Sequence, residues 1–283
     1  MVHMNETAVF RSDQGKRLIL DVYDQILERW PVPLETLTVP TRLGETHLIA
    51  CGEQGAQPLF LLHGSTSNAT MWIGDAAEYA REYRVYAVDI PGEPGKSCPV
   101  RPDLRESAYA DWLSDVFREL GVFKAGVVGN SLGGFIALKF ASAYPQLVRK
   151  LVLLCPAGVA AQKSSFMLLV LVLMPFGGWG HKRLMRIISH KQDLPEEAIS
   201  YFRLMGKNFN PRRETIPLLS DAELAALRMP VLLIAGEKDA LLPSKATASR
   251  LETLLPDLTV DLLPDTGHVL IGFERGVMEF LVS

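Results

Sequence analysis

Val127-Val128-Gly129-Asn130-Ser131-Leu132-Gly133-Gly134 decides how the rest of the chain is read. It carries the pattern Gly-x-Ser-x-Gly. The apolar residues 125–128 come before it, and Phe135, Leu138, Phe140 and Ala141 follow at helical spacing up to Tyr144-Pro145. Strand, tight turn and helix in that order predict a nucleophilic serine at the tip of a sharp turn. The spacing has a physical cause. Ser131 must be held in a strained backbone conformation, so its neighbours must be small. Gly129 and Gly133 let strand and helix approach closely. The turn also places the Leu132 N–H at a helix start, where it faces developing negative charge. Gly-x-Ser-x-Gly also recurs by chance in Gly- and Ser-rich loops. Here the flanking strand and helix patterns set it apart.

The 283 residues suffice for one large domain of alternating strands and helices with an insertion. Hydrophobic residues make up 48%, enough for a sizeable core, and the net charge is −3 with both signs spread along the chain. That charge pattern leaves no footprint for nucleic acid. Cys51, Cys98 and Cys155 are an odd number without zinc-ligand spacing, so reduced cysteines and a cytoplasmic location are expected. Residues 1–11 have no apolar signal core. The longest apolar run, 166–174, is followed by Pro175-Phe176 and falls short of the roughly 20 residues that a membrane span needs.

Residues 1–13 read as a leader. Leu18, Val22, Ile26 and Trp30 recur every fourth residue, one face of a helix ended by Pro31 and Pro33. Strands are predicted at 34–39, 45–51, 58–62, 85–89, 124–128, 150–155, 230–235 and 259–263. Helices are predicted at 109–120, 131–144, 244–255 and from His268 to Phe280, with a capping box at Ser220-Asp221-Ala222-Glu223. The alternation defines an α/β fold with a doubly wound, mostly parallel sheet. The loop Pro91-Gly92-Glu93-Pro94-Gly95-Lys96-Ser97 is not a phosphate-binding loop, because Ile90 stands where the first glycine belongs and two prolines interrupt it.

The rhythm breaks after Pro156. Residues 158–218 hold the apolar run, a Gly-rich turn at 177–180, a basic stretch at 181–186 and a helical pattern at 195–205. The expected division is therefore an N-terminal leader and helix over 1–33, a core over 34–157 and 219–283, and a helical insertion over 158–218. A helix apolar on most faces is expected to be buried on most faces. Packing on the sheet edge and a helix lying on a membrane surface are the alternatives to a cap over the strand ends.

Two later loops supply partners for Ser131. Gly236-Glu237-Lys238-Asp239 follows the 230–235 strand, and Asp265-Thr266-Gly267-His268 follows the last strand. A serine hydroxyl needs a neighbouring base to take its proton. Of the six histidines, His3 lies in the leader, His47 in an early strand, His63 in the loop after strand 58–62, and His181 and His190 in the insertion. His268 alone follows a strand downstream of the acid, so it is assigned as base and later as general acid. Asp239 is assigned to orient it, with Glu237 as rival and Asp265 as a weaker one. There is no His-Glu-x-x-His and no Asp-x-Asp run, so no metal site is expected.

From about residue 34 to its end, the chain resembles the α/β-hydrolase superfamily. Within it the chain is similar to the bacillus-type carboxylesterases related to naproxen esterase. The resemblance rests on Trp30-Pro31-Val32, Thr41-Arg42-Leu43-Gly44-Glu45-Thr46-His47, Leu61-Leu62-His63-Gly64, Met71-Trp72, Tyr86-Ala87-Val88-Asp89-Ile90, Ser131-Leu132-Gly133-Gly134 and Ala235-Gly236-Glu237. It implies the order Ser131, Asp239, His268 for the catalytic residues and a helical cap at 158–218. It further implies an oxyanion hole from the backbone N–H groups of Ser65 and Leu132, with His63 supporting that loop. The activity implied is that of a serine carboxylesterase acting on small to medium esters without a cofactor, as a monomer or homodimer. Gly64, Met71, Phe166 and Met205 are the expected substrate-binding residues, in an apolar pocket between the cap and residues 63–72. Asn130 before the serine is also common in hydrolases that cleave carbon–carbon bonds of ring-fission products, for which Arg183, Arg186 and Arg203 would be candidate partners of an acidic substrate. A non-catalytic receptor on the same fold is the third reading.

Overall fold

The computed structural model describes residues 9–190, 192 and 194–283. The leader expected over 1–13, with His3, therefore falls largely outside the described residues.

Eight strands follow in chain order: β1 (Leu34–Thr41), β2 (Gly44–Cys51), β3 (Gln57–Leu62), β4 (Tyr83–Val88), β5 (Ala125–Asn130), β6 (Val148–Leu154), β7 (Val231–Gly236) and β8 (Leu258–Leu263). They form a sheet of order β1-β2-β4-β3-β5-β6-β7-β8. β2 runs antiparallel to β1 and to β4, and every other pairing is parallel. The strand order reverses between β3 and β5. In such sheets the crevice for a ligand lies beyond the carboxyl ends of the strands at that reversal. Ser131 follows β5 directly.

The sheet is covered on both sides, and the period of two along each strand distributes its side chains. Phe60, Leu62, Val127, Leu151 and Leu153 join one apolar cluster, with Trp112, Phe117 and Phe140 from helices. Leu59, Leu61, Val128, Val152 and Leu154 join the other, with Trp72 and Tyr79. Burial on both faces explains the continuous apolar stretches at 59–62, 125–129, 151–154 and 231–236.

Ten α-helices are described: α1 (Asp13–Glu28), α2 (Ala76–Tyr79), α3 (Ala108–Glu119), α4 (Leu132–Ala143), α5 (Ser164–Leu173), α6 (Gly177–Ser189), α7 (Glu196–Asn208), α8 (Asp221–Ala225), α9 (Ser244–Leu254) and α10 (Glu274–Val282). Ser12 caps α1 by accepting the Gly15 N–H, and Ser220 with Glu223 completes the predicted capping box at α8.

Four expectations need correction. The buried face of α1 is Gly15, Ile19 and Tyr23, while Leu18 is exposed. The four-residue spacing is right but its phase is off. Ile19 packs with Phe209 and Met205, and the Tyr23 ring meets His47 edge-on, so helix and sheet compete for the same side. The chain does turn at Gly177 (φ 54°), yet it enters α6 at once. A side chain at Gly180 would meet the Leu173 carbonyl at 1.8 Å, so the glycine there allows α6 to fold tightly against the end of α5. The last helix begins at Glu274 rather than near His268, because 264–273 is a loop. Finally, α5 is only half covered. Leu173 is buried, but Leu168, Leu171 and Val172 are mostly exposed, as are Phe176 and Trp179 beyond it. No helix among the described residues is long and apolar enough to cross a membrane.

Candidate active site

Ser131 ends β5 and precedes α4 with φ 52° and ψ −108°, a conformation that L-residues rarely adopt. Its backbone is fully engaged. The N–H donates to Leu154 at 2.9 Å, and the carbonyl accepts the N–H groups of Phe135 at 3.0 Å and Ala157 at 3.1 Å. The glycines on either side have no room for a Cβ. One at Gly133 would lie 2.2 Å from the Leu62 carbonyl, and one at Gly129 would lie 2.5 Å from the Gly133 carbonyl. Strand, turn and helix are interlocked, and the strain sits on the serine.

His268 stands between the other two assigned residues. Its Nε2 is 3.1 Å from Ser131 Oγ, and its Nδ1 is 2.7 Å from Asp239 Oδ2. Asp239 can only accept, so Nδ1 carries a proton, and in the neutral ring Nε2 faces the serine with a free lone pair. The Asp239 side chain is fully buried. Its other oxygen accepts the N–H groups of Leu241 at 2.7 Å and Leu242 at 3.0 Å. Burial alone would raise its pKa. The His268 hydrogen bond and charge and those two N–H groups outweigh it and hold the carboxyl below its ordinary value. For His268, burial pulls the imidazole down, but the Asp239 carboxylate and the Cys155 side chain push it further up, so the net shift is upward.

Of the rival acids, Glu237 pairs with Lys245 at 3.4 Å, and Asp265 is exposed at φ 53°. His63 is buried beneath the loop that follows β3. Its Nε2 accepts the Ile90 N–H at 2.9 Å, which leaves Nδ1 as donor to the Gly64 carbonyl at 2.8 Å. Burial lowers its pKa to about 4, so it stays neutral and cross-braces the loops after β3 and β4. A Cβ on Gly64 would come within 3.6 Å of the Ser131 Cβ, which brings the loop beside the serine. Neither the Ser65 nor the Leu132 N–H donates to a protein acceptor among the described residues.

Two neighbours were not legible as site residues. Glu93, in a loop read only as a turn, is fully buried and accepts the Thr66 N–H through Oε2 at 2.7 Å. Cys155 follows β6 at φ 42°, and its Sγ lies within 4.8 Å of the nearest Asp239 and His268 atoms. The direct His268–Asp239 bond makes that trio a hydrogen-bonded pair with a thiol beside it. The available signal was the strand end: Cys155 occupies on β6 the position that Ser131 occupies on β5.

The insertion reaches the strand-end loops on three sides. Ile188 of α6 accepts the His268 N–H at 2.8 Å, and the Lys163 N–H donates to Leu241 beside Asp239 at 3.0 Å. Arg212, just past α7, lies 3.7 Å from Glu93 Oε1. A cavity of about 560 Å³ opens between α5 and the loop after β7, lined by Phe166, Leu169, His190, Asp239 and Ala240 among others. It lies on the Asp239 side and is not lined by residues 63–72. Phe166 is thus at a cavity. Met71 is half-buried against the Trp72 cluster. Met205 departs from expectation: it is fully buried with Val9, Ile19 and Phe209, where it packs α7 onto α1.

Comparison with known proteins places the chain in a family. A family profile described as the alpha/beta hydrolase family matches residues 59–279. The chain belongs to that family and is a hydrolase. It is 33% identical over 269 residues to an uncharacterized carboxylesterase, nap, of Bacillus subtilis, covering 92% of this chain and 88% of that one. Among solved structures it is similar to naproxen esterase (carboxylesterase NP) from Bacillus subtilis, with TM-score 0.83 and 30% identity over 95% of this chain and 99% of the other. It is likewise similar to carboxylesterase CesB (YbfK) from Bacillus subtilis, with TM-score 0.82 and 29% identity over 95% and 98% of the two chains.

Proposed function

We infer that this hydrolase is a serine carboxylesterase that works through Ser131, His268 and Asp239. The observation that carries the reading is the position of the His268 ring, hydrogen-bonded to Asp239 on one nitrogen and to Ser131 on the other. In the proposed reaction Nε2 takes the Ser131 proton as Oγ attacks the ester carbonyl. Asp239 holds the tautomer and stabilises the imidazolium. The N–H groups of Ser65 and Leu132 receive the oxyanion. His268 then returns the proton to the departing alcohol, leaving an acyl-Ser131. A water deprotonated by the same nitrogen attacks the acyl carbon, and His268 passes that proton to Ser131 Oγ as the acid departs. Hydroxyl, imidazole, carboxylate and water account for every proton and charge in this sequence, so it calls for no cofactor.

The substrate is read as a small or medium uncharged ester. Arg183, Arg186 and Arg203, the candidates for holding an acidic ring-fission product, are all exposed, which weighs against that reading. Three free cysteines support a reducing, cytoplasmic setting, and a monomer or homodimer is proposed. Incubation with a fluorophosphonate probe, followed by peptide mapping and 4-nitrophenyl ester assays, tests the proposal. Labelling at Ser131 together with steady ester turnover is expected. Labelling elsewhere, or binding without turnover, would overturn it in favour of another nucleophile or a receptor.

A further inference from the structure

The hairpin formed by α5 and α6 leaves apolar surface uncovered. Leu168, Leu171 and Val172 are 63%, 72% and 53% exposed, and Phe176 and Trp179 follow at 61% and 63%. Leu168, Leu171 and Val172 are spaced by three and one, so they form a stripe on one face of α5, and Phe176 and Trp179 follow at the bend into α6. Phe176 and Trp179 pack edge to face at 5.7 Å and form an aromatic tip. The opposite side of α5 carries Phe166 and Leu169 toward the cavity beside Asp239. Soluble monomers rarely leave a contiguous apolar patch of this kind without a partner.

The charge beside the stripe indicates the partner. From Leu120 to Gln192 the sequence has no Asp or Glu, although the whole chain is acidic on balance. Lys182, Arg183 and Arg186 on α6 are exposed, and none has an acidic partner among the described residues. A two-fold contact with a second copy would bring this segment against itself, cation facing cation with no acid to intervene. An anionic lipid surface meets both features at once, taking apolar and aromatic side chains below the headgroups and basic ones at their level.

We propose that the α5–α6 hairpin docks this protein on anionic lipid surfaces, lying in the interface without crossing it. The stripe enters the headgroup boundary, and the basic residues of α6 remain at the phosphates.

Co-sedimentation with vesicles tests this independently of any ester assay. Purified protein is mixed with vesicles of phosphatidylcholine alone, or with equal parts of phosphatidylglycerol. Binding to the anionic vesicles, weakened by high salt, is expected, with little binding to phosphatidylcholine alone. Leu171→Glu and, separately, Arg183→Glu should each lower the bound fraction about tenfold while turnover of a soluble ester is retained, which shows that the fold is intact. The proposal is overturned if the wild type stays in the supernatant with anionic vesicles. It is equally overturned if Leu171→Glu binds as well as wild type, or if ultracentrifugation shows a stable dimer that Leu171→Glu dissociates.

Discussion

Glu93 accepts the Thr66 N–H at 2.7 Å, and Thr66 is held at φ 61°. A β-branched residue is rare in that region, and holding one there costs roughly 1–3 kcal/mol. The carboxylate fixes the turn of the loop next to Ser65, the proposed oxyanion donor. Burial pushes the Glu93 carboxyl up to about 7, against the opposing Thr66 N–H and the charges of Arg212 and Arg101. Glu93→Ala should therefore lower kcat by roughly tenfold to a hundredfold, less than the full loss of one oxyanion donor, with KM nearly unchanged. It should also lose about 1–3 kcal/mol of stability, since the Thr66 N–H loses its buried acceptor and Arg212 loses one of its two acidic neighbours. A fall in thermal midpoint with kcat unchanged would reduce Glu93 to a structural role.

Ser131→Ala should abolish ester turnover by about three orders of magnitude or more without unfolding the protein. The backbone at Ser131 adds a second readout. Glycine tolerates φ 52° and ψ −108° where serine and alanine do not. Ser131→Gly should be more stable than Ser131→Ala by about 1 kcal/mol in denaturant titration. Equal stability would mean that the turn stores no strain on this residue.

Asp239→Asn should lower kcat by up to about four orders of magnitude through the wrong histidine tautomer, while Glu237→Gln stays near wild type. The reverse result would reassign the acid. The pH profile follows from the upward shift at His268. A raised pKa keeps the imidazole protonated to higher pH, and only the neutral form accepts the Ser131 proton. Thus kcat/KM should rise with pH, with its inflection above the ordinary histidine value of about 6.5. Asp239→Asn removes the carboxylate, so the inflection of its residual activity should move down.

The sheet and the serine turn were legible because both rest on local rules. Buried parallel strands are continuous apolar runs, and a strand–turn–helix serine needs glycines on either side. Chain order pointed to Asp239 and His268, and the fold brings the two within hydrogen-bond distance of each other. The phase of α1 was not legible, since α7 and the sheet edge both claim one side and periodicity cannot choose between them. Glu93 and Cys155 were missed for a related reason. Their importance comes from what lies across the strand ends, Thr66 and His268, and neither pairing leaves a mark in sequence spacing. The exposed stripe on α5 and α6 broke a general rule, because a helix that is apolar all round finds cover on only one side.

Phe166 and Met205, the two insertion residues expected to touch substrate, sit in different surroundings. Phe166 lines the 560 Å³ cavity beside Asp239, and Met205 packs against Val9, Ile19 and Phe209. Suppose the cavity receives the acyl chain. Each added methylene then contributes about 0.8 kcal/mol at most, so kcat/KM should climb roughly fourfold or less per methylene until the space is filled. Two-carbon to eight-carbon 4-nitrophenyl esters measure that slope. Phe166→Ala widens the cavity and should shift the optimum to longer chains. Met205→Ala should leave the chain-length profile unchanged and lower stability by about 2–5 kcal/mol, because it empties a packed cluster. A flat series in the wild type would remove α5 from the acyl site. A changed profile in Met205→Ala would mean that α7 shapes the pocket after all.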